Sequence, residues 1–282
     1  MRNGLSDDKK RTVLECVANI SEGLNLAVLQ ALSRTVGPSL LDIHTDADHH
    51  RSVFTMVGTE APRRLARRAV DLLTIQGHEG VHPRLGVVDV VPFVALEGSG
   101  YEDALLARNE FAAWAADELC VPCFFYGPER TLPDIRKNAW KSLAPDTGPA
   151  TPHPSAGAMC VGVREVLVAY NVFLNTNDMI LAEEIVRQVR RPGVRALPFF
   201  VDGVAQISMN LIDLHTVGID DAYDAVAQHA SSQGVEVQRA ELVGLIPRFA
   251  LDAIDARRWV ELDIGVESTI EWRMNNPPTF ST

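Results

Sequence analysis

The apolar residues of this chain fall into short runs separated by polar turns, and the period of each run predicts its element. Residues 11–18 read as a strand, followed by a turn of short polar groups at 19–23 and a helix over 24–36. A short strand at 39–44 leads into a dense polar loop, and 52–58 alternates weakly as a strand. Thr59 stands where it can cap a helix over 60–75, with Pro62 tolerated in its first turn. Residues 85–93 form an apolar run with one acid, Asp89, and read as a buried strand. Ser99 and Glu102 match a capping box for a helix reaching 119, and 121–126 is a further buried strand. Residues 127–154 show little periodicity and read as a long connection with a short helix near 135–140.

The second part repeats the order. A strand lies within 159–174, and Asn177 caps a helix over 178–189. Residues 194–201 and 204–210 read as strands joined by the hairpin signal Asp202-Gly203. Asp220 caps the next helix, 235–243 is a strand, and a last helix starts near 247. Both parts thus carry a β-α-β-β-α-β order, the ferredoxin-like motif. The expected class is α+β, with two such subdomains at 1–176 and 177–282. Helices cover one face of each sheet, and the other two faces either pack together or line a ligand groove. No G-x-G-x-x-G follows an early strand and no G-x-x-x-x-G-K-[ST] occurs, which disfavours a dinucleotide or P-loop fold.

Length and composition set bounds. The 282 residues suffice for two subdomains, and a net charge of −11 argues against a protein that binds nucleic-acid backbone. That balance leaves room for an anionic small molecule held by local arginines. The first ten residues lack the apolar core of a signal peptide, and no apolar run approaches the roughly 20 residues of a membrane span. Of Cys16, Cys120, Cys123 and Cys160, only the C-V-P-C pair is close in sequence. It reads as a helix end running into a strand rather than a redox pair, and a reducing cytoplasm fits.

Candidate chemistry centres on 77–93, where His78, His82 and Arg84 precede the Asp89 strand. A neutral imidazole at His82 accepts a proton near neutral pH, and Arg84 offers a planar fork to a carboxylate. The plainer reading has His82 bonded to backbone and Arg84 paired with an acid such as Asp89. The 42–50 segment holds His44, Asp46, Asp48, His49 and His50, donors for a metal but without a recognised ligand spacing. It reads either as a self-capped polar loop or as a substrate loop with Arg51 meeting a carboxylate. Asn19, Ser21 and Glu22 either hold a polar ligand at a helix start or cap that helix. Gly162 and Arg164 precede a strand that reaches Tyr170 and Asn171, whose amide suits a heterocycle edge. Gln206, Ser208 and Asn210 share one face of a strand by their period of two. A ligand or a solvated face would satisfy them.

Eight pieces recur in a known order. They are V-L-E-C-V-A-N-I-S-E-G at 13–23, H-H-R-S-V-F-T-M-V-G at 49–58, H-E-G-V-H-P-R-L-G-V-V-D-V-V-P-F at 78–93 and V-P-C-F-F-Y-G at 121–127, then V-A-Y-N-V-F-L at 168–174, P-G-V-R-A-L at 192–197, A-Q-I-S-M-N-L at 205–211 and A-E-L-V-G-L-I-P at 240–247. As an ordered set the chain resembles the glutamate formimidoyltransferase family, which includes the transferase part of the animal formimidoyltransferase-cyclodeaminases. The resemblance implies two ferredoxin-like subdomains around a folate groove. It implies transfer of a formimidoyl group from N-formimidoyl-L-glutamate to N5 of tetrahydrofolate, a co-substrate, with no metal required. His82 of the H-P-R motif then corresponds to the catalytic histidine. Gly162, Arg164, Tyr170, Asn171, Gln206, Ser208 and Asn210 are expected to meet folate, and Asn19, Ser21, Glu22, His44, Arg51, His78 and Arg84 the amino-acid donor. A homodimer, without nucleic acid or membrane as partner, is expected too. The chain departs from the pattern at Val81, where a glutamate is frequent, and at 46–50, where the animal enzymes have N-R. Another formimidoyl or formyl donor, or folate binding without turnover, are the competing readings.

Overall fold

The computed structural model describes residues 12–81 and 83–278. Its first part runs β1 (Leu14–Ile20), α1 (Leu26–Val36), β2 (Leu40–Asp46), β3 (Arg51–Val57), α2 (Glu60–Leu72), β4 (Val88–Ala95), α3 (Tyr101–Leu119), β5 (Cys123–Tyr126), α4 (Leu132–Asn138) and β6 (Met159–Val163). The second runs β7 (Val168–Leu174), α5 (Met179–Val189), β8 (Val194–Val201), β9 (Val204–Leu211), α6 (Ile219–Ser232) and β10 (Val237–Val243), followed by α7 (Arg248–Asp252) and α8 (Ile270–Asn275). No described helix is long and apolar enough to cross a membrane.

Two sheets result, ordered β2-β3-β1-β4-β6-β5 and β10-β7-β9-β8. The first four strands and the whole second sheet share one topology, with the opening strand flanked by the fourth and third and the second at the edge. This is the ferredoxin-like arrangement, present twice in an α+β protein. The pleat sorts each strand into two faces. Leu14, Cys16, Ala18 and Ile20 of β1 join one core with Leu29, Leu65 and Phe111 of the helices. Tyr170, Val172 and Leu174 of β7 join the other with Ile185 and Val226.

The apolar run at 159–174 is not one strand. β6 pairs in parallel with β4 and β5 of the first sheet, whereas β7 pairs with β9 and β10 of the second. The charged Arg164-Glu165 step separates them, and the sheets therefore divide between Val163 and Val168. β7, on the N-terminal side of residue 176, belongs to the second sheet. Three expected caps also shift. Asp178, not Asn177, accepts the N–H groups of Ile180 and Leu181. Asp221, not Asp220, accepts that of Gly218, and Asp103 that of Gly100, while the Ser99 hydroxyl is spent on Val13.

The long connection is better built than its sequence suggests. β5 and β6 widen the first sheet, and α4 packs Ile135 over Val90, Phe124, Tyr126 and Cys160 on the face opposite α1–α3. Thr131 and Asp134 cap α4 reciprocally. The second sheet meets the first mainly through the β2–β3 hairpin. The Asp202 N–H donates to Asp48 at 3.0 Å, and the His49 and Phe199 rings meet edge-on at 5.1 Å. Leu41, Leu245 and Ile270 form a small apolar cluster nearby.

Candidate active site

The end of β1 is tied to the start of β4. The Ser21 N–H donates to the Val87 carbonyl at 2.8 Å, and its hydroxyl to that of Gly86 at 2.9 Å. Glu22 is buried beside it. Its Oε1 accepts the N–H groups of Leu24 and Asn25 at 2.8 and 2.9 Å and lies 3.3 Å from His50 Nε2. Burial pushes this carboxyl up, but the two amides and the histidine outweigh it and hold the pKa below the usual range. Of the two readings of the 19–23 turn the capping one is seen directly, since Glu22 accepts amides at the α1 entrance and also contacts His50. Asn19 sits in β1 between Val53 and Val90 and is half-buried.

His50, at φ 46°, turns its ring onto that of His78, with centroids 4.0 Å apart and planes 20° apart. Its Nδ1 is 2.9 Å from the Glu79 carbonyl. Arg84 donates to the His49 carbonyl at 3.2 Å and to His78 Nδ1 at 2.6 Å. Burial, then the charges of Arg84 and His50, hold the His78 pKa down, so a neutral ring accepts from Arg84. Gly80 permits this approach. A Cβ there would stand 2.6 Å from the His49 carbonyl oxygen and closer still to the Arg84 guanidinium. Four of the expected donor-binding residues, Ser21, Glu22, His78 and Arg84, therefore gather around one loop. His82, the expected proton acceptor, lies outside the described residues, and its chain neighbours Val81 and Pro83 are exposed.

Arg84 does not pair with Asp89. That carboxylate accepts the Leu85 N–H at 2.7 Å and both arms of Arg136, the latter reaching across from α4. Half-buried Arg51 feels the charges of Asp89, Asp46, Arg84 and Arg136. His44 points elsewhere, to Glu241 of β10 at 3.8 Å. The histidines of the β2–β3 loop thus diverge, because His49 turns to Asp46 and Phe199 and His50 to Glu22. Among the described residues no three His, Cys, Asp or Glu side chains group as metal ligands. Cys120 is exposed at the end of α3 and Cys123 buried in β5, both as free thiols.

The helix-free face of the second sheet carries most of the expected folate set. Cross-strand register aligns Glu241, Asn171, Ser208 and Leu197 in one row, and Arg239, Phe173, Gln206 and Phe199 in the next. The Asn171 amide donates to Glu241 at 2.8 Å, and Arg239 stacks 3.4 Å over the Phe173 ring. Gln206 is fully buried near His49, yet neither amide atom finds hydrogen-bonding geometry among the described residues. Burial lowers the His49 pKa, with Asp46 opposing. Asn210 continues the face into solvent.

Three members of the set do not lie on this face. Tyr170 neighbours Asn171 and so projects to the opposite side, where its ring joins the helix-covered core and its hydroxyl donates to the Leu262 carbonyl at 2.8 Å. Gly162 lies in β6 of the first sheet, and its Cα faces the Tyr126 ring with no room for a Cβ. Arg164 leaves the end of β6, where its N–H donates to the Phe93 carbonyl at 3.3 Å. Conversely, Arg136, Glu241 and Arg239 belong to these networks without having been singled out. Arg136 sits in the aperiodic connection and Glu241 in an ordinary strand, so neither carried a local signal.

The sequence matches the formiminotransferase domain, N-terminal subdomain, over residues 13–164, and the formiminotransferase domain over 169–261. This chain belongs to the formiminotransferase domain family. The two matches meet between β6 and β7, where the sheets divide. Glutamate formimidoyltransferase of Streptococcus pyogenes serotype M1 is 33% identical over 270 residues, covering 85% of this chain and 90% of its own. That of Thermoplasma acidophilum is 31% identical over 276 residues, covering 85% and 90%. The formimidoyltransferase-cyclodeaminase of Gallus gallus is 34% identical over 282 residues, covering 86% of this chain but 52% of its own. The chain thus spans about half the length of the animal relatives it matches.

Proposed function

We propose that this protein transfers a formimidoyl group from N-formimidoyl-L-glutamate to N5 of tetrahydrofolate, giving L-glutamate and 5-formimidoyltetrahydrofolate. The observation that carries the reading is family membership across both subdomains, shared with glutamate formimidoyltransferases over most of their length. The site fits the substrates. The buried amide of Gln206, beside Ser208 and Asn171 on one sheet face, supplies the kind of donors and acceptors a pterin edge needs. Arginine charges around Asp89 supply what a dicarboxylate donor needs.

In this reading N5 attacks the amidine carbon and His82 takes the N5 proton. His82 hands that proton on to the glutamate nitrogen as the bond from it to the amidine carbon breaks, so the amine leaves neutral and the histidine is restored. Arg84 and Glu22 hold the stacked His78 and His50 rings from either side, on the segment that precedes His82 in the chain. Holding both substrates in one site accounts for much of the acceleration. We also propose a homodimer, to be read as twice the 30.9 kDa chain mass by sedimentation.

The test is direct. Enzyme, tetrahydrofolate and N-formimidoyl-L-glutamate are mixed, and both L-glutamate and the absorbance of 5-formimidoyltetrahydrofolate are followed. Stoichiometric appearance of the two products supports the reading. No product from this donor, or unchanged single-turnover transfer by His82→Ala at saturating substrates, overturns the donor or the role of His82 respectively.

A further inference from the structure

The acid–base arithmetic around β4 is uneven. Arg51, Arg84 and Arg136 share the field of Asp89. Asp89 is 3% exposed and is committed to Arg136, whose two arms grip its two oxygens. Arg136 comes from the last turn of α4, where a cation is favoured by the helix dipole, and α4 is itself fixed by its reciprocal cap and by Ile135 in the apolar cluster below. Arg84 donates to two backbone carbonyls and to His78. Asp46, the remaining acid near Arg51, accepts the His49 N–H at 2.8 Å and turns its other oxygen toward the His49 ring at 3.9 Å. Arg51, half-buried at the head of β3, makes no ion pair with any described carboxylate.

The geometry points to a division of labour in which Arg136, by holding Asp89, keeps that acid off Arg51 and leaves Arg51 as the cation that receives a carboxylate of the donor. Arg136 is then a positioning residue that acts through Asp89, and the added α4 segment tunes the affinity of a site built by the ferredoxin-like core. Without Arg136, the Asp89 charge is unneutralised next to Arg51 and competes with the incoming carboxylate for it. A fork-shaped guanidinium answers a carboxylate with two parallel hydrogen bonds, which sets the ligand class as a carboxylate rather than a neutral amide. The identity of that carboxylate as the donor's rests on the transfer reading above; the free cation does not.

Three variants test it, Arg51→Gln, Arg136→Gln and the double Asp89→Asn/Arg136→Gln. The double variant keeps an oxygen for the Leu85 N–H while removing the competing charge. Steady-state KM for each substrate, calorimetric binding of L-glutamate and thermal unfolding are measured for all. Arg51→Gln is expected to raise the donor KM about 10- to 100-fold, the value of a charged hydrogen-bond pair, with the tetrahydrofolate KM within about twofold. Arg136→Gln is expected to raise the donor KM about tenfold, and the double variant to bring it back to within about threefold of the parent. A double variant no better than Arg136→Gln makes the pair merely structural and overturns the inference, as does L-glutamate binding that ignores Arg51→Gln. L-glutamate binding lost in Arg51→Gln, in a protein that shows no transfer, sinks the transfer reading and leaves this one standing.

Discussion

Tyr170 offers the sharpest separation of fold from site. It stands in a segment whose resemblance marks it for folate contact, yet its side chain is on the helix side of β7, 0% exposed. Tyr170→Phe removes one oxygen and no other packing. The Leu262 carbonyl that accepts its proton at 2.8 Å is also 0% exposed, so water cannot replace the lost donor. Leaving a buried carbonyl unsatisfied costs about 1–3 kcal/mol, and burial holds the phenol protonated, so the loss is felt at every accessible pH. At roughly 2–4 °C per kcal/mol, a loss of about 2 kcal/mol lowers Tm by about 4–8 °C. Thermal unfolding followed by circular dichroism reads the stability, and fluorescence titration reads tetrahydrofolate affinity. The expected pair of results is a lower Tm with Kd within about twofold, because a change on one face of a strand leaves the other in register. An unchanged Tm with Kd raised tenfold or more would put the hydroxyl on the ligand and refute the assignment.

Two further perturbations probe other parts of the molecule. Gly80→Ala forces a methyl against the His49 carbonyl and the Arg84 guanidinium; kcat/KM is expected to fall about 10- to 100-fold from the displaced loop while unfolding free energy drops only about 1–2 kcal/mol, and an unimpaired enzyme would show that this close approach is idle. Glu15 is buried in β1, and burial, with Arg164 opposing and Glu271 adding to it, raises its pKa from 4.5 to about 7. The folded state keeps that proton after the unfolded chain has lost it, so the stability it contributes is full below about pH 4.5 and is lost as pH rises through about 7, amounting to about 3 kcal/mol. Denaturant titrations across that window should show wild type losing stability relative to Glu15→Gln; parallel curves would mean Glu15 is ionised throughout.

Much of this architecture is legible in the chain because both ferredoxin-like units alternate cleanly and are punctuated by turns. The hairpin follows from the Asp202-Gly203 turn signal, and the shared face of Gln206, Ser208 and Asn210 from a period of two. The passage from β6 to β7 is hidden for a physical reason. Strands buried on both faces read as continuous apolar sequence, so 159–163 and 168–174 look like one run although they belong to different sheets. The same continuity conceals that Tyr170 and Asn171, adjacent in one motif, cannot both meet a ligand. Caps misplaced by one residue at Asn177 and Asp220 reflect neighbours, Asp178 and Asp221, equally able to accept an amide proton. The contacts between His44 and Glu241 and between Asp89 and Arg136 join residues far apart in sequence with no motif between them, and only the folded chain brings them together.

The connection from β5 to β6 carries a consequence for the site that its sequence conceals. A ferredoxin-like unit is complete at β4, and in such a unit Asp89 would be the nearest acid to Arg51 and Arg84 at the open side of the sheet. The added β5–α4–β6 segment does two things at once. It covers that side with Ile135, Phe124 and Tyr126, which keeps water from screening the charges, and it delivers Arg136 to Asp89. The result is a locally positive patch in a chain whose net charge is −11. A uniformly acidic surface would repel a dicarboxylate, whereas a cationic spot set among low-dielectric walls focuses the field and draws it inward. If the proposed carboxylate role of Arg51 holds, selectivity for an anionic donor depends on a segment outside the repeated fold, and substitutions at Arg136 are expected to change donor KM more than tetrahydrofolate KM.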